Sequence, residues 1–148
     1  IENTRLRFRT IRSPQAKRWN WILEQRFPAD ESDLARWLVA EIHLNEAEHA
    51  ALAMFEGREI QKNERVESSE LRFNRYFYDF GTRQMEIDVF LNPLWGLNVA
   101  KVFFESEEEM KYFSPPEFAV AEVTQNRFFT GANLVGKTIE DVRAELQK

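Results

Sequence analysis

Polar and apolar residues alternate near the start of the chain. Arg5, Arg7 and Arg9 occupy every second position, and Leu6 and Phe8 lie between them. Successive side chains of a β-strand point to opposite faces of its sheet. This period of two therefore predicts a strand with three guanidinium groups on one face and two apolar side chains on the other.

The same kind of pattern predicts the other elements. A turn is expected at residues 13–15, where a proline follows a serine. One helix is predicted after Asn45, which has Glu48 three residues later, as in a capping box, and Gly57 where a C-terminal cap would fall; another is predicted after Thr138. We predict strands at residues 19–27, 34–44, 71–80, 84–91 and 97–105, a strand or hairpin within 58–70, and a solvated loop at 105–109.

These elements indicate a fold that is mainly β, of the α+β class. A short glycine turn at residues 81–83 joins two of the predicted strands, which favours an antiparallel, meander-like sheet. The helices would pack outside the sheet, and we expect two or three of them.

The composition fits one globular domain. The 148 residues are 43% hydrophobic, so we expect residues 1–148 to form a single domain. The formal net charge of −5 argues against nucleic acids and anionic membranes as partners. There is no apolar stretch of about 18 residues, and we expect a soluble chain with the cytoplasm as the favoured compartment. Because position 1 is Ile1 rather than methionine, we also expect a fragment or a processed product.

Three motifs occur in order in the second half of the chain. Residues 86–90 have the sequence E-I-D-V-F, residues 96–100 have G-L-N-V-A, and residues 122–124 have E-V-T. Their order and spacing over residues 76–134 resemble the CYTH or triphosphate-tunnel family. More loosely, R-L-R at residues 5–7 resembles the R-x-R strand of that family.

The resemblance implies an antiparallel β-barrel that binds triphosphate-bearing substrates in its interior. Family members hold the phosphate chain with arginines and lysines and hold Mg²⁺ or Mn²⁺ with carboxylates, which suits phosphoryl transfer. For this chain, the resemblance implies a catalytic role for Glu86 and Asp88, and a weak metal site formed by Glu41, Glu86 and Asp88. It implies phosphate binding by Arg5, Arg7, Arg9, Arg36, Arg75 and Arg127.

The sequence also departs from the family pattern. Lys101 and Phe103 stand where the motif G-L-x-x-A-E-x-E has two glutamates, and Arg36 lies one position out of register with the family's R-x-E-x-E-I strand. Nothing before Arg5 resembles the N-terminal E-x-E-x-K strand of the family. We therefore expect a domain that lacks its first strand and binds a triphosphate or polyphosphate anion. Its hydrolase activity should be weak or lost, because a divalent ion would find few ligands.

Other interpretations of the chain remain open. If an upstream segment supplies the first strand, the chain would be an active triphosphatase that uses Mg²⁺ or Mn²⁺ and acts on tripolyphosphate, a nucleoside triphosphate or thiamine triphosphate. An adenylate cyclase is a more remote version of that hypothesis. A structural or interaction subunit could instead use the aromatic exterior of the barrel against a partner protein. The arginine face could also be the solvated face of an edge strand.

The histidines and tryptophans have simpler explanations. His43 and His49 have no cysteine partners, so we predict packing or surface roles for them and no zinc site. Trp19 and Trp21 could stack on a nucleic-acid base. We favour packing for both, because aromatic residues on strands usually pack against a core or an interface.

Overall fold

The computed structural model describes residues 5–55, 60–62, 65–67 and 70–148. The chain divides into two compact units, each with its own three-stranded antiparallel sheet. The first unit comprises Ile1–Ser69 and Thr124–Arg127, and the second comprises Glu70–Val123 and Phe128–Lys148. The fold is mainly β with packed helices, as the sequence predicted.

The sheet of the first unit has the strand order β1-β2-β3. Its strands are β1 (Leu6–Ser13), β2 (Arg18–Asp30) and β3 (Asp33–Leu44). Arg7 lies opposite Glu24, and Glu24 lies opposite Glu41. Residues directly opposite one another share a face of the sheet. The predicted alternation is confirmed for Arg7 and Arg9, which lie on the same charged face.

Helix α1 (Glu46–Leu52) follows the third strand, and the predicted capping box is present. The Asn45 side chain accepts a hydrogen bond from the backbone of Glu48, and the Glu48 side chain accepts one from the backbone of Asn45. A 3₁₀ turn, Ala53–Phe55, continues the helix. The predicted cap at Gly57 lies outside the described residues.

His49 of α1 packs on the apolar face of this sheet. Its ring stacks on Trp21 at a centroid distance of 5.3 Å and meets Phe8 edge-on at 6.4 Å. These contacts confirm the packing role predicted for His49 and Trp21. Trp19, for which packing was also predicted, is instead 53% exposed.

Two short strands, β4 (Ile60–Lys62) and β5 (Arg65–Glu67), pair antiparallel within the region where a strand or hairpin was predicted. Parts of that region lie outside the described residues.

The sheet of the second unit is the predicted meander. Its strands are β6 (Phe73–Phe80), β7 (Arg83–Phe90) and β8 (Asn98–Val102), with β7 in the middle. Gly81 and Thr82 form the turn between the first two strands. Gly81 has a φ of +61°, which glycine adopts without the steric cost that a Cβ atom would add.

An apolar core forms where this sheet meets the last two helices, α3 (Gly131–Leu134) and α4 (Ile139–Leu146). Its buried members are Phe90, Leu94, Leu97, Leu134 and Val142. The capping box predicted at Thr138 is confirmed, because Thr138 and Asp141 exchange hydrogen bonds with each other's backbone.

The prediction of a solvated loop at residues 105–109 was wrong. Helix α2 (Glu107–Lys111) begins there, and the Ser106 side chain accepts a hydrogen bond from the backbone of Glu109. The run of carboxylates that suggested a loop lies in the first turn of the helix, where negative charge is favourable. The described residues therefore form four α-helices rather than two or three. None of these helices has the length and apolar character needed to cross a membrane.

We predict that Leu134→Ala lowers the free energy of unfolding by about 2–5 kcal/mol, because it opens a cavity in the core of the second unit. Leu134 is 1% exposed, whereas Leu146 on the neighbouring helix is 48% exposed. Urea unfolding at neutral pH measures both variants. Equal losses for Leu134→Ala and Leu146→Ala would contradict the described core.

Candidate functional site

Four charged side chains meet on the charged face of the first sheet, and we name them the Glu24 group: Arg7, Arg9, Glu24 and Glu41. Arg7 donates a hydrogen bond from Nε to Oε1 of Glu24 at 2.6 Å. Arg9 donates from one nitrogen, Nη1, to Oε2 of Glu24 at 2.6 Å and to Oε1 of Glu41 at 2.8 Å. Both oxygens of Glu24 are therefore bound by guanidinium groups.

The pairing of strands explains this arrangement. Glu24 lies on the middle strand, directly opposite Arg7 on β1 and Glu41 on β3. Arg9 lies two positions after Arg7 and so shares its face. Glu24 is 2% exposed, whereas the Glu41 side chain keeps 35% of its exposure. The group thus has a buried carboxylate in its centre and a more accessible one at its edge.

The pKa of Glu24 reflects two opposing effects. Burial alone would raise it, because the charged form loses hydration. The positive charges and hydrogen bonds of Arg7 and Arg9 outweigh burial, and the pKa of Glu24 lies below its ordinary value of 4.5. The carboxylate is therefore ionised at neutral pH.

A similar group occupies one face of the second sheet, and we name it the Asp88 group: Arg75, Glu86, Asp88 and Lys101. Asp88 lies on the middle strand and is 0% exposed. Arg75 donates two hydrogen bonds to it, from Nε to Oδ1 at 2.7 Å and from Nη2 to Oδ2 at 2.9 Å. Lys101 forms an ion pair with Oδ2 of Asp88, and Arg75 forms another with Glu86 at 2.8 Å.

Strand pairing again places these side chains together. Asp88 lies opposite Arg75 on β6, and Glu86 lies opposite Lys101 on β8. Burial would raise the pKa of Asp88, but the hydrogen bonds and charges of Arg75 and Lys101 lower it below its ordinary value of 3.8. Burial also lowers the pKa of Lys101, and the attraction of Asp88 offsets this only in part.

Both groups are electrically balanced. Each contains two cationic side chains and two carboxylates, and the buried carboxylate of each binds both cations. Removing one member of a buried pair leaves an uncompensated charge, which costs far more than an exposed ion pair contributes. Each buried carboxylate therefore depends on both of its cationic partners.

The other predicted phosphate ligands lie apart from the Glu24 group. Arg5 forms an exposed ion pair with Glu31 at 3.2 Å, and Arg127 donates a hydrogen bond to the backbone carbonyl of the same residue. Arg36 pairs with Asp33 at 3.7 Å. Alternation along β3 puts Arg36 on the face opposite Glu41, as its position in the sequence indicated.

Sequence reasoning missed three residues of these faces. Glu24 is the centre of its group, and Lys101, which the sequence suggested only as the loss of a glutamate, is a partner of Asp88. Arg26 shares the face of Glu24 two positions on, and its guanidinium lies 4.8 Å from the centre of the Trp37 ring. The strand register was the missing information: Ser13 pairs with Arg18 across a turn at residues 14–17, and this register places Glu24 beside Arg7.

The residues present do not fit a site for Mg²⁺ or Mn²⁺. Glu24 and Asp88 each already bind two cationic side chains, which a divalent ion would have to displace. Glu41 and Glu86 also already pair with arginines, Arg9 and Arg75 respectively. Across the described parts of the chain, no cluster of three or more His, Cys, Asp or Glu side chains is arranged to hold a metal ion. We therefore assign no metal-dependent step to these residues.

A depression of about 590 Å³ lies elsewhere in the second unit, beside the turn between β6 and β7. Gly81, Arg83, Glu109 and Phe113 are among its lining residues, and none of the predicted site residues is. Arg83 and Glu109 pair with each other across it at 3.0 Å. We base the candidate site on the two charged groups, because converging charges recognise anions and a wide depression alone does not.

No protein-family model, curated protein or solved structure matches the chain. The case for a function therefore depends on the motifs of the sequence and on the geometry of the two groups.

We predict that the free energy of unfolding falls as the pH is lowered from about 5. Glu24 and Asp88 have lower pKa values in the folded chain than their ordinary values of 4.5 and 3.8. Their stabilisation is therefore present above those values and is lost as the pH falls through the folded pKa. Urea unfolding over a series of pH values measures the effect.

The variants Glu24→Gln and Asp88→Asn assign this acid dependence to its source. Each should flatten the acid side of the stability profile and lower stability at pH 7 by about 3–5 kcal/mol, because it leaves two cations facing each other. Glu117→Gln, a change at an exposed position, serves as the control. A full acid transition in both group variants would show that other carboxylates cause it.

Proposed function

We propose that the chain is a divergent domain of the triphosphate-tunnel type that binds a triphosphate or polyphosphate anion and hydrolyses it weakly or not at all. The main support is the charged face of the first sheet. Arg7 and Arg9 lie there side by side, Arg26 shares the same face, and each keeps part of its surface accessible. Guanidinium groups suit phosphate because their donors match its oxygens in pairs.

The Asp88 group offers a second set of donors. Arg75 and Lys101 are partly exposed, with side-chain exposures of 26% and 35%. An arginine and a lysine held on one rigid sheet face would bind phosphate oxygens with little loss of side-chain freedom. The closed antiparallel barrel that the family resemblance implies is part of this proposal.

Weak or absent hydrolysis follows from the carboxylates. Phosphoryl transfer by this type of site needs divalent ions to neutralise the developing charge. Here the buried carboxylates bind guanidinium and ammonium groups, and Lys101 adds a positive charge at a position where the resemblance implies a metal ligand. The arginines can hold an anion, but the residues that would activate water on a metal are occupied.

A second candidate, an interaction subunit, is favoured by the aromatic residues of β6. This strand forms one edge of its three-stranded sheet. Tyr76, Phe77 and Tyr78 are 57%, 63% and 46% exposed. Exposed edge strands with apolar side chains are common sites of pairing with other chains. Under this hypothesis the charged groups would have only a structural role.

We expect tripolyphosphate to raise the melting temperature of the chain without phosphate release, with or without Mn²⁺. An anion at about one hundred times its dissociation constant adds about 2.7 kcal/mol of stability. Differential scanning fluorimetry and a phosphate-release assay measure the two effects. Release that depends on Mn²⁺ would support the active triphosphatase instead. If tripolyphosphate causes neither a thermal shift nor phosphate release, the result would support the interaction subunit.

The variant Arg7→Gln/Glu24→Gln tests the site itself. It removes one cation and the central carboxylate together, and Arg9 keeps its pair with Glu41. No buried charge is therefore left without a partner. The thermal shift with tripolyphosphate should disappear. The matched control is Arg143→Gln/Glu140→Gln, which removes an exposed pair 3.9 Å apart. An unchanged shift in the first variant would exclude the Glu24 group as the binding site.

We also predict that Glu41→Gln and Glu86→Gln each strengthen tripolyphosphate binding by about tenfold. Glu41 pairs with Arg9, and Glu86 pairs with Arg75. A phosphate group must replace these carboxylates at the guanidinium, so removing their charge removes a competitor. Isothermal titration calorimetry measures the affinities.

Glu117→Gln changes the net charge equally at an exposed position and should leave the affinity within about twofold. Weaker binding in Glu41→Gln and Glu86→Gln, seen only with Mn²⁺, would show that these carboxylates hold a metal. That outcome favours the active triphosphatase over the metal-independent binder.

A further inference from the structure

The hairpin between the first two strands extends beyond the rest of its sheet. Strand β3 ends at Leu44, opposite Trp21. The pairs that continue past this point, Ile11 with Asn20, Arg12 with Trp19 and Ser13 with Arg18, belong to β1 and β2 alone. We name residues 11–20 the hairpin tip. Among the described residues no third strand pairs with the hairpin tip, and nearly every residue in it is exposed.

The charge of the hairpin tip has one sign. It contains Arg12, Lys17 and Arg18 and no carboxylate. Within the residues that the structure describes, none of these three cations forms an ion pair with a carboxylate, unlike the arginines of the Glu24 group. A local charge of +3 therefore faces solvent in a chain whose total is −5.

Apolar groups accompany these cations. Trp19 is 53% exposed and Ile11 is 36% exposed. The Arg12 guanidinium lies 5.6 Å from the centre of the Trp19 ring, on the adjacent strand. Pro14, Lys17 and Arg18 join these two residues around a shallow depression of about 370 Å³. The hairpin tip thus combines an indole ring with cations on a projecting loop.

This combination fits the interface of an anionic lipid bilayer. Tryptophan is favoured at the headgroup level, where its ring is apolar and its N–H remains hydrated. Each lysine or arginine near an anionic bilayer is attracted by its negative surface potential. Charges of the chain farther than about 8–10 Å from the bilayer contribute little at physiological salt. The net charge of −5, from which we predicted no membrane partner, averages over the whole chain and conceals this local positive cluster.

Single-stranded nucleic acid fits the hairpin tip less well. Such ligands need several aromatic platforms along a basic groove, so that successive bases can stack. The hairpin tip has one exposed indole, and Arg12 already lies over its ring. A flat, negatively charged surface makes fewer demands on shape.

We propose that the hairpin tip docks on an anionic lipid surface, with Arg12, Lys17 and Arg18 against the headgroups and Trp19 at the headgroup level. This surface interaction is separate from anion binding by the two charged groups, and it does not depend on the proposed function.

The test is co-sedimentation of the whole chain with vesicles of phosphatidylcholine that contain about one third phosphatidylserine. We expect binding that falls steeply as salt is raised, and no binding to vesicles of phosphatidylcholine alone. The triple variant Arg12→Gln/Lys17→Gln/Arg18→Gln should bind at least about tenfold more weakly. Trp19→Ala should also bind more weakly, because it removes the interfacial ring.

Matched controls separate the hairpin tip from net charge and from general aromatic exposure. Lys111→Gln/Arg143→Gln/Lys148→Gln gives the same net charge, and Trp95→Ala removes a tryptophan that is 74% exposed in the second unit. Both should bind the vesicles as the unaltered chain does. Thermal melts confirm that each variant is folded.

Two outcomes would overturn the proposal. One is that the unaltered chain does not co-sediment with the phosphatidylserine vesicles. This outcome includes a chain that binds a single-stranded oligonucleotide through Trp19 instead. The other is that the control variants lose binding to the same extent as the variants of the hairpin tip.

Discussion

The structure depends on two carboxylates that have almost no contact with water. Glu24 and Asp88 each lie on the middle strand of a three-stranded sheet, and each is held by cationic side chains from neighbouring positions. An ionised carboxylate in such a place is tolerable only when its oxygens are bound by opposite charges. The flanking strands therefore require cationic residues at positions next to Glu24 and Asp88. Arg7, Arg9, Arg75 and Lys101 supply these opposite charges.

This requirement also fixes how the strands pair. A shift of one residue between β1 and β2 would move Arg7 to the face opposite Glu24 and would bury the carboxylate among apolar side chains. The same holds for Arg75 and Asp88. Buried salt bridges often contribute little net stability. A wrong register, however, would leave a buried charge without a partner, which lowers the free energy of unfolding strongly. In both sheets, then, the charged groups specify one alignment of the strands.

Much of the fold could be predicted from the sequence because its signals are local. Alternation over Arg5 to Arg9 showed the first strand, and Asn45 with Glu48 and Thr138 with Asp141 showed two helix starts. The helix after Ser106 was missed because a run of glutamates resembles a solvated loop unless the serine is recognised as a cap. Features that depend on pairing between strands were harder. Glu24 could not be recognised as a site residue until its opposite neighbours were known, and Lys101 was interpreted by comparison with a family motif rather than by what lies across the sheet from it.

Four residues limit how the chain can be truncated into its two units. Thr124–Arg127 belong to the first unit, although the chain on both sides of them belongs to the second. Gln125 accepts a hydrogen bond from the backbone of Leu34 at 2.9 Å and donates one to Asp33 at 2.8 Å. A truncation designed to isolate the first sheet by stopping before the second would therefore strip these amide contacts from the start of β3. Any dissection of this protein into halves has to retain that short returning segment, either by circular permutation or by supplying it as a peptide.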